Sequence, residues 1–211
     1  MGERTLDARE RHELCDLMDQ LGPDVPTLCG GWTTRDLAAH LVLRERRLDA
    51  APGIVLPAMA GYTARVQRGI GRVPWKELVD LVRGGPPWWS PWSLPVLGDW
   101  GNAAELFVHH EDVRRAQAGW KPRPADARRA SVLWALLGLT SRLLYRNSPV
   151  GVVLRTPEGL VRTVRHAQRC VTLVGPPEEL TLHAFGRDRT VVDFDGDQVD
   201  IAGLERSQRG L

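Results

Sequence analysis

The segment "GNAAELFVHHEDVRR", residues 101–115, concentrates residue types that bind metals or move protons. It holds two of the chain's six histidines, and Glu105 stands four residues before His109. On a helix, Glu105, Val108, His109 and Asp112 fall at i, i+3, i+4 and i+7 and share one face. Residues one turn apart on such a face have Cβ atoms about 5–6 Å from each other. Both side chains can then reach a single divalent cation at about 2.0–2.2 Å. One carboxylate and one imidazole do not complete a site, so another part of the chain must supply a third ligand. His40 is the candidate, because it sits between Leu37 and Leu41 on the inward face of its own predicted helix. Inward carboxylates and histidines on facing helices are a common way to build metal sites in bundles.

Each of these residues also has a plainer reading. Glu and His at i, i+4 can form only a surface pair. A lone histidine on an apolar face can be a hydrogen-bonded core residue. Asp112 is either a partner that orients His109 or its i+3 companion and nothing more. His110 shares a neighbouring face with Leu106 and Val113 and reads as non-ligating. His12, His166 and His183 stand alone and read as structural or surface residues. None of Cys15, Cys29 and Cys170 sits in a nucleophile motif; Cys29, just before the His40 helix, reads as a small buried residue, with a reactive role as the alternative.

The elements that must position these residues can be read from periodicity. Residues 5–21 predict a helix, with Leu14, Leu17, Met18 and Leu21 at helical spacing and Gly22-Pro23 as its end. Thr33 is a good N-cap for the next helix, and Asp36 can return the capping bond. That helix runs to about Ala50, with Leu37, His40, Leu41 and Leu48 inward. Helices follow at about 59–70, 74–83, 98–118 and 125–146. Between them, "GGPPWWSPWSLP" (84–95) predicts a long irregular loop. Its Trp88, Trp89 and Trp92 could line a pocket or interface, or staple the loop to the bundle. Near residue 148 the pattern changes. "VGVVLRT" and "LVRTVRH" flank the turn "PEG", "CVTLVG" and "TVVDF" are further strands, and "PPEELTLHAFG" and the C-terminal segment are short helices. The expected fold class is mainly α: a helical bundle over 1–147, then a small α+β domain over 148–211.

Composition narrows the function classes. A chain of 211 residues with 43% hydrophobic and 26% charged residues is a soluble globular protein with a sizeable core. A net charge of +2 argues against nucleic acid or an anionic membrane as partner. The longest apolar run, "VLWALLGL", is too short to span a bilayer, and the N-terminal "MGERTLDARERHEL" lacks a signal-peptide core. Three scattered cysteines exclude a disulfide framework and fit a reducing cytoplasm.

"TLCGGWTTRDLAAHL" resembles the N-terminal signature of the DinB-like metal-binding bundles, and within them the mycothiol-dependent maleylpyruvate isomerase family of actinobacteria. The chain resembles more closely an actinobacterial branch of the family described only as metal-binding than the two-domain isomerase itself. In that family a Trp-Thr/Ser-x-x-Asp-Leu-x-x-His segment supplies the first metal ligand, matched here by His40. A later Glu-Leu-x-x-His-x-x-Asp segment supplies two more, matched by Glu105 and His109, with Asp112 at the acidic position. "ELTLHAFGRDRTVVDFDGD" resembles the family's C-terminal segment, and Arg187 matches its active-site arginine, with Arg189 close by. The resemblance implies a four-helix bundle, a divalent metal (zinc, or else nickel) and mycothiol as co-substrate. It implies an isomerase or S-transferase acting on a small electrophilic molecule. His40, Glu105 and His109 would hold the metal, Asp112 would orient a ligand, and Arg187 would pair with a substrate carboxylate. A non-catalytic metal- or ligand-binding bundle with a structural or regulatory role is the alternative, and a homodimer is compatible with either.

Overall fold

The computed structural model describes residues 5–210, with the side chains of 95–100 excepted. Met1–Arg4, where the charged N-terminal segment begins, lie outside the described residues, as does Leu211. The chain forms two compact units, Met1–Lys121 and Pro122–Leu211, and each has its own apolar core.

The first unit contains α1 (Leu6–Leu21), α2 (Thr34–Arg46), α3 (Ala60–Ile70), α4 (Trp75–Arg83) and α5 (Pro95–Ala116). Helices α1, α2, α4 and α5 enclose one core built from Leu14, Met18, Leu37, Leu41, Leu78, Val82, Leu106 and Val113. These residues recur every three or four positions, which puts them on one stripe of each helix. Removing such a side chain from water contributes about 1.5–3 kcal/mol. Helix α3 packs on α2, and its last residue, Ile70, packs against the rim of this core. Helix α1 stops at Gly22, whose φ of 81° lets its N–H return to Met18 O.

The start of α2 is fixed by a reciprocal cap. Thr33 Oγ1 accepts from Asp36 N, and Asp36 Oδ2 accepts from Thr33 N at 3.0 Å. The helix ends at Arg46, short of the expected Ala50, because Arg47 leaves helical geometry (φ −124°, ψ 73°). Arg47 and Asp49 then pair on the surface, and Leu48, expected inward, is 42% exposed. The segment 84–94 is irregular as expected, apart from a single 3-10 turn at Pro91–Ser93. Pro95 already belongs to α5, which begins three residues before the expected 98. Proline fits a first helical turn because its missing N–H would have no partner there.

The second unit contains α6 (Ala127–Leu144), β1 (Gly151–Arg155), β2 (Val161–Arg165), β3 (Cys170–Val174), α7 (Pro177–Ala184), β4 (Asp193–Asp195) and α8 (Gln198–Arg206). The strands form one sheet in the order β2-β1-β3-β4. The turn signal "PEG" does join an antiparallel pair, β1 and β2, while β1 and β3 are parallel. The parallel register sets Val152 opposite Val171 and Leu154 opposite Leu173, and all four are buried. Leu137 and Leu144 of α6 pack into that same core with Tyr145 and Leu180. This is why the compact division falls at Lys121/Pro122 and not at 147/148, where the residue pattern changes. The periodicity of α6 shows that one face needs a partner but does not name the partner. The bundle thus draws its four helices from residues before 122, and the fold class is the expected one: a four-helix bundle followed by a small α+β unit.

Candidate metal centre

In the first unit, α2 and α5 bring three ligand-type side chains to one point. His40 Nε2 lies 3.3 Å from Glu105 Oε1, and His109 Nε2 lies 3.2 Å from the same oxygen. The three ligand atoms all fall within 4.8 Å of one another. Donor atoms around a tetrahedral cation with bonds of about 2.0–2.1 Å are about 3.3–3.4 Å apart, so the spacing fits a small divalent ion. Both imidazoles are buried, whereas the Glu105 side chain is 21% exposed and leaves one side open to approach. The His40 and His109 rings meet edge to face at 5.4 Å between centroids, and Trp32 covers His40 at 5.1 Å.

The far side of His109 is also built. Its Nδ1 lies 2.9 Å from Asp112 Oδ2, and Asp112 is fully buried. A carboxylate on Nδ1 fixes the ring so that Nε2 faces the Glu105 side, the usual support of a metal-binding histidine. The same Asp112 oxygen accepts from Cys29 Sγ at 3.0 Å, and that sulfur is 3.6 Å from His109 Nδ1. The Cys29 loop is held in place because Leu28 N donates to the Asp112 carbonyl at 3.0 Å and Pro26 bridges to Thr33. Cys29 is therefore half-buried beside the cluster and packs against the core, less enclosed than the small buried residue expected.

Charge accounts for the proton affinities. Burial lowers the pKa of His40, with the Glu105 hydrogen bond opposing it. Burial would lower His109 too, but its bonds to Asp112, Cys29 and Glu105 overcome that and raise it well above the usual range. Burial would raise Glu105, yet the two histidines and Arg44 hold it well below the usual carboxylate range. An anionic carboxylate flanked by imidazoles is a suitable donor set for zinc or a similar cation.

Arg44, one turn after His40, was not singled out by sequence reasoning. Its Nε is 3.6 Å from Glu105 Oε1. Of the loop tryptophans, Trp92 lies under the Arg44 guanidinium at 3.6 Å, while Trp88 is 88% exposed. His110 points away from the cluster and meets Glu10 of α1 at 2.8 Å. Arg187 belongs to the second unit, half-buried in the turn after α7, where its Nη1 donates to Phe185 O at 2.7 Å. The neighbouring Arg189 is exposed. Among the described residues no helix is long and apolar enough to cross a membrane.

Residues 8–84 match the family model of the mycothiol maleylpyruvate isomerase N-terminal domain. Two solved structures share the fold: the mycothiol-dependent maleylpyruvate isomerase and a histidine-to-alanine mutant of it. Their TM-scores are 0.60 and 0.61, at 15% identity, with 91% of each chain covered. No curated protein matches the chain. Over residues 8–84 the chain is thus similar to the N-terminal domain of mycothiol maleylpyruvate isomerases, and it shares with the solved isomerase structures the fold of a DinB-like bundle followed by a small α+β unit.

Proposed function

We propose that this protein is a divalent-metal-dependent enzyme that uses a small-molecule thiol, mycothiol, to isomerise or thiolate a small electrophilic substrate. The observation that carries the reading is the convergence of His40 Nε2, His109 Nε2 and Glu105 Oε1 at 3.2–3.3 Å, with Asp112 behind His109. Zinc suits two imidazoles and a carboxylate, with nickel as the other candidate. When bound, such a cation lowers the pKa of a coordinated water or thiol. Asp112 accepts the Nδ1 proton of His109 and holds the ring in its ligating tautomer. The open side at Glu105 admits the thiol and substrate. Arg187 would pair with a substrate carboxylate, a task suited to its planar fork. The near-neutral charge of +2 speaks against nucleic acid as a partner. Together with the scattered cysteines and the absence of a spanning helix among the described residues, it supports a soluble cytoplasmic enzyme.

Elemental analysis of the full chain tests this directly. The expected result is about one zinc or nickel ion per chain, lost in His40→Ala and in His109→Ala, together with mycothiol-dependent loss of an electrophile that vanishes in the same variants. A wild-type chain that takes up no zinc, nickel or manganese overturns the metal-dependent mechanism. A metal-replete chain with no thiol-dependent turnover reduces the protein to a metal-binding bundle.

A further inference from the structure

The tryptophan- and proline-rich loop has no place in the ligand set, yet one of its side chains is fastened to a residue that touches it. Arg44 follows His40 by four residues on α2, and Asn102 precedes Glu105 by three on α5, so each stands one turn from a ligand on its own helix. Arg44 Nη1 donates to Asn102 Oδ1 at 2.7 Å. Asn102 Nδ2 donates to the Trp92 carbonyl at 3.1 Å, and the Trp92 indole N–H donates to the Arg44 carbonyl at 3.1 Å. The ring of Trp92 lies 3.6 Å from the guanidinium carbon. These contacts form a closed circuit that links α2, the loop and α5. Arg44 is 8% exposed, and Asn102 is 1% exposed.

We propose that Arg44, held by Trp92 and Asn102, is a positioning residue that keeps Glu105 Oε1 turned toward His40 and His109. The inference rests on the metal-centre reading above. Glu105 needs such a restraint: it has three side-chain torsions, and its side chain is 21% exposed while both imidazoles are buried. The Arg44 Nε, 3.6 Å from Oε1, attracts that oxygen from the helix that also carries His40. The planar fork lets one side chain face Asn102, Glu105 and the indole at once, which a lysine cannot do. This assigns a task to the loop: Trp92 is its anchor at the site. Supports of this kind, one bond removed from the metal, commonly change metal affinity by about 10–100-fold.

The test is zinc affinity of the full chain, by competition with a chromophoric chelator, alongside the thermal midpoint of the metal-free protein. Arg44→Met and Arg44→Lys should each weaken zinc by about tenfold or more, with the lysine failing to rescue despite its charge. Trp92→Leu lies in the 3-10 turn of the loop, outside α2 and α5, and should weaken zinc less, in the same direction. It keeps the inference testable if an Arg44 variant does not fold. A purely structural role would lower the metal-free midpoint and leave zinc affinity in place. Wild-type affinity in folded Arg44→Lys and Trp92→Leu overturns the inference alone. A wild-type chain that binds no zinc overturns the metal-centre reading and this inference with it.

Discussion

The two units bury histidines in opposite ways. In the bundle, His109 is enclosed by Asp112, Cys29 and Glu105, and its affinity for a proton rises well above normal despite burial. In the second unit, His183 is 2% exposed and its Nδ1 meets the Tyr145 hydroxyl at 2.8 Å. Phe194 meets its ring edge to face at 5.6 Å, and its Nε2 has no hydrogen-bond partner among the described residues. Burial, with Arg209 adding to it, pushes the His183 pKa down to about 3. Burial alone therefore makes a neutral imidazole that serves packing. Burial with converging carboxylates makes a cluster that carries charge, and such a cluster is costly unless charges are paired or a cation joins them. The contrast is between His109 and His183; His40, whose pKa burial also lowers, joins the cluster through its contact with Glu105.

The largest test of that contrast is metal content. His109→Ala should lose the bound ion completely, while His183→Gln should retain about one ion per chain, both by elemental analysis of folded protein. Equal retention in both would erase the distinction. The next test uses pH. The unfolded chain takes up a proton at His183 as pH falls below about 6.5, while the folded chain does so only near about 3. The unfolded state then binds more protons, so the contribution is complete above pH about 6.5 and is lost as pH falls toward 3. The rate is up to about 1.4 kcal/mol per pH unit. Denaturant unfolding of wild type and His183→Gln between pH 7 and 4.5 should show the gap between them narrowing as the pH falls. A constant gap would mean that His183 does not titrate as its setting demands.

How far these settings are legible in sequence depends on distance along the chain. The Thr33–Asp36 cap spans three residues, and its two halves are read directly from the residue types. Glu105 and His109 are one turn apart, so helical spacing puts them on one face. His40 needs more: its inward place between Leu37 and Leu41 makes it a candidate, and the family resemblance adds the link to a segment 65 residues later. Cys29 meets Asp112 across 83 residues, and Arg44 meets Asn102 across 58, with no local pattern to mark either. Arg44 also sits within "RERR", where arginines of identical type mask the one that turns inward. The assignment of α6 failed to show for the same reason: its apolar stripe is plain, but the core that receives it lies further along the chain.

Asp112 sharpens the comparison further, because it is what His183 lacks. Asp112→Asn keeps the shape and removes the charge behind His109. Zinc affinity should fall by about 10–100-fold, since the imidazole loses both orientation and donor strength. The metal-free protein should remain folded, because the amide can still meet Nδ1 or Cys29. Unchanged zinc affinity in Asp112→Asn would make Asp112 a packing residue and move it to the same side of the comparison as Tyr145.

The smallest expected effect tests whether the bundle site depends on the backbone that carries it. Thr33→Ala removes the hydroxyl that accepts from Asp36 N, and the start of α2 should lose about 1 kcal/mol of stability. Thr33 also bridges to Pro26 through its backbone, so the residue that caps α2 is tied to the loop that delivers Cys29 to Asp112. His40 is two turns further along α2, beyond the reach of fraying in the first turn. Stability by denaturant unfolding should therefore drop, while zinc affinity changes by less than about threefold. A larger loss of zinc affinity than of stability would show that the Cys29 loop, and not only α2 and α5, holds the site together.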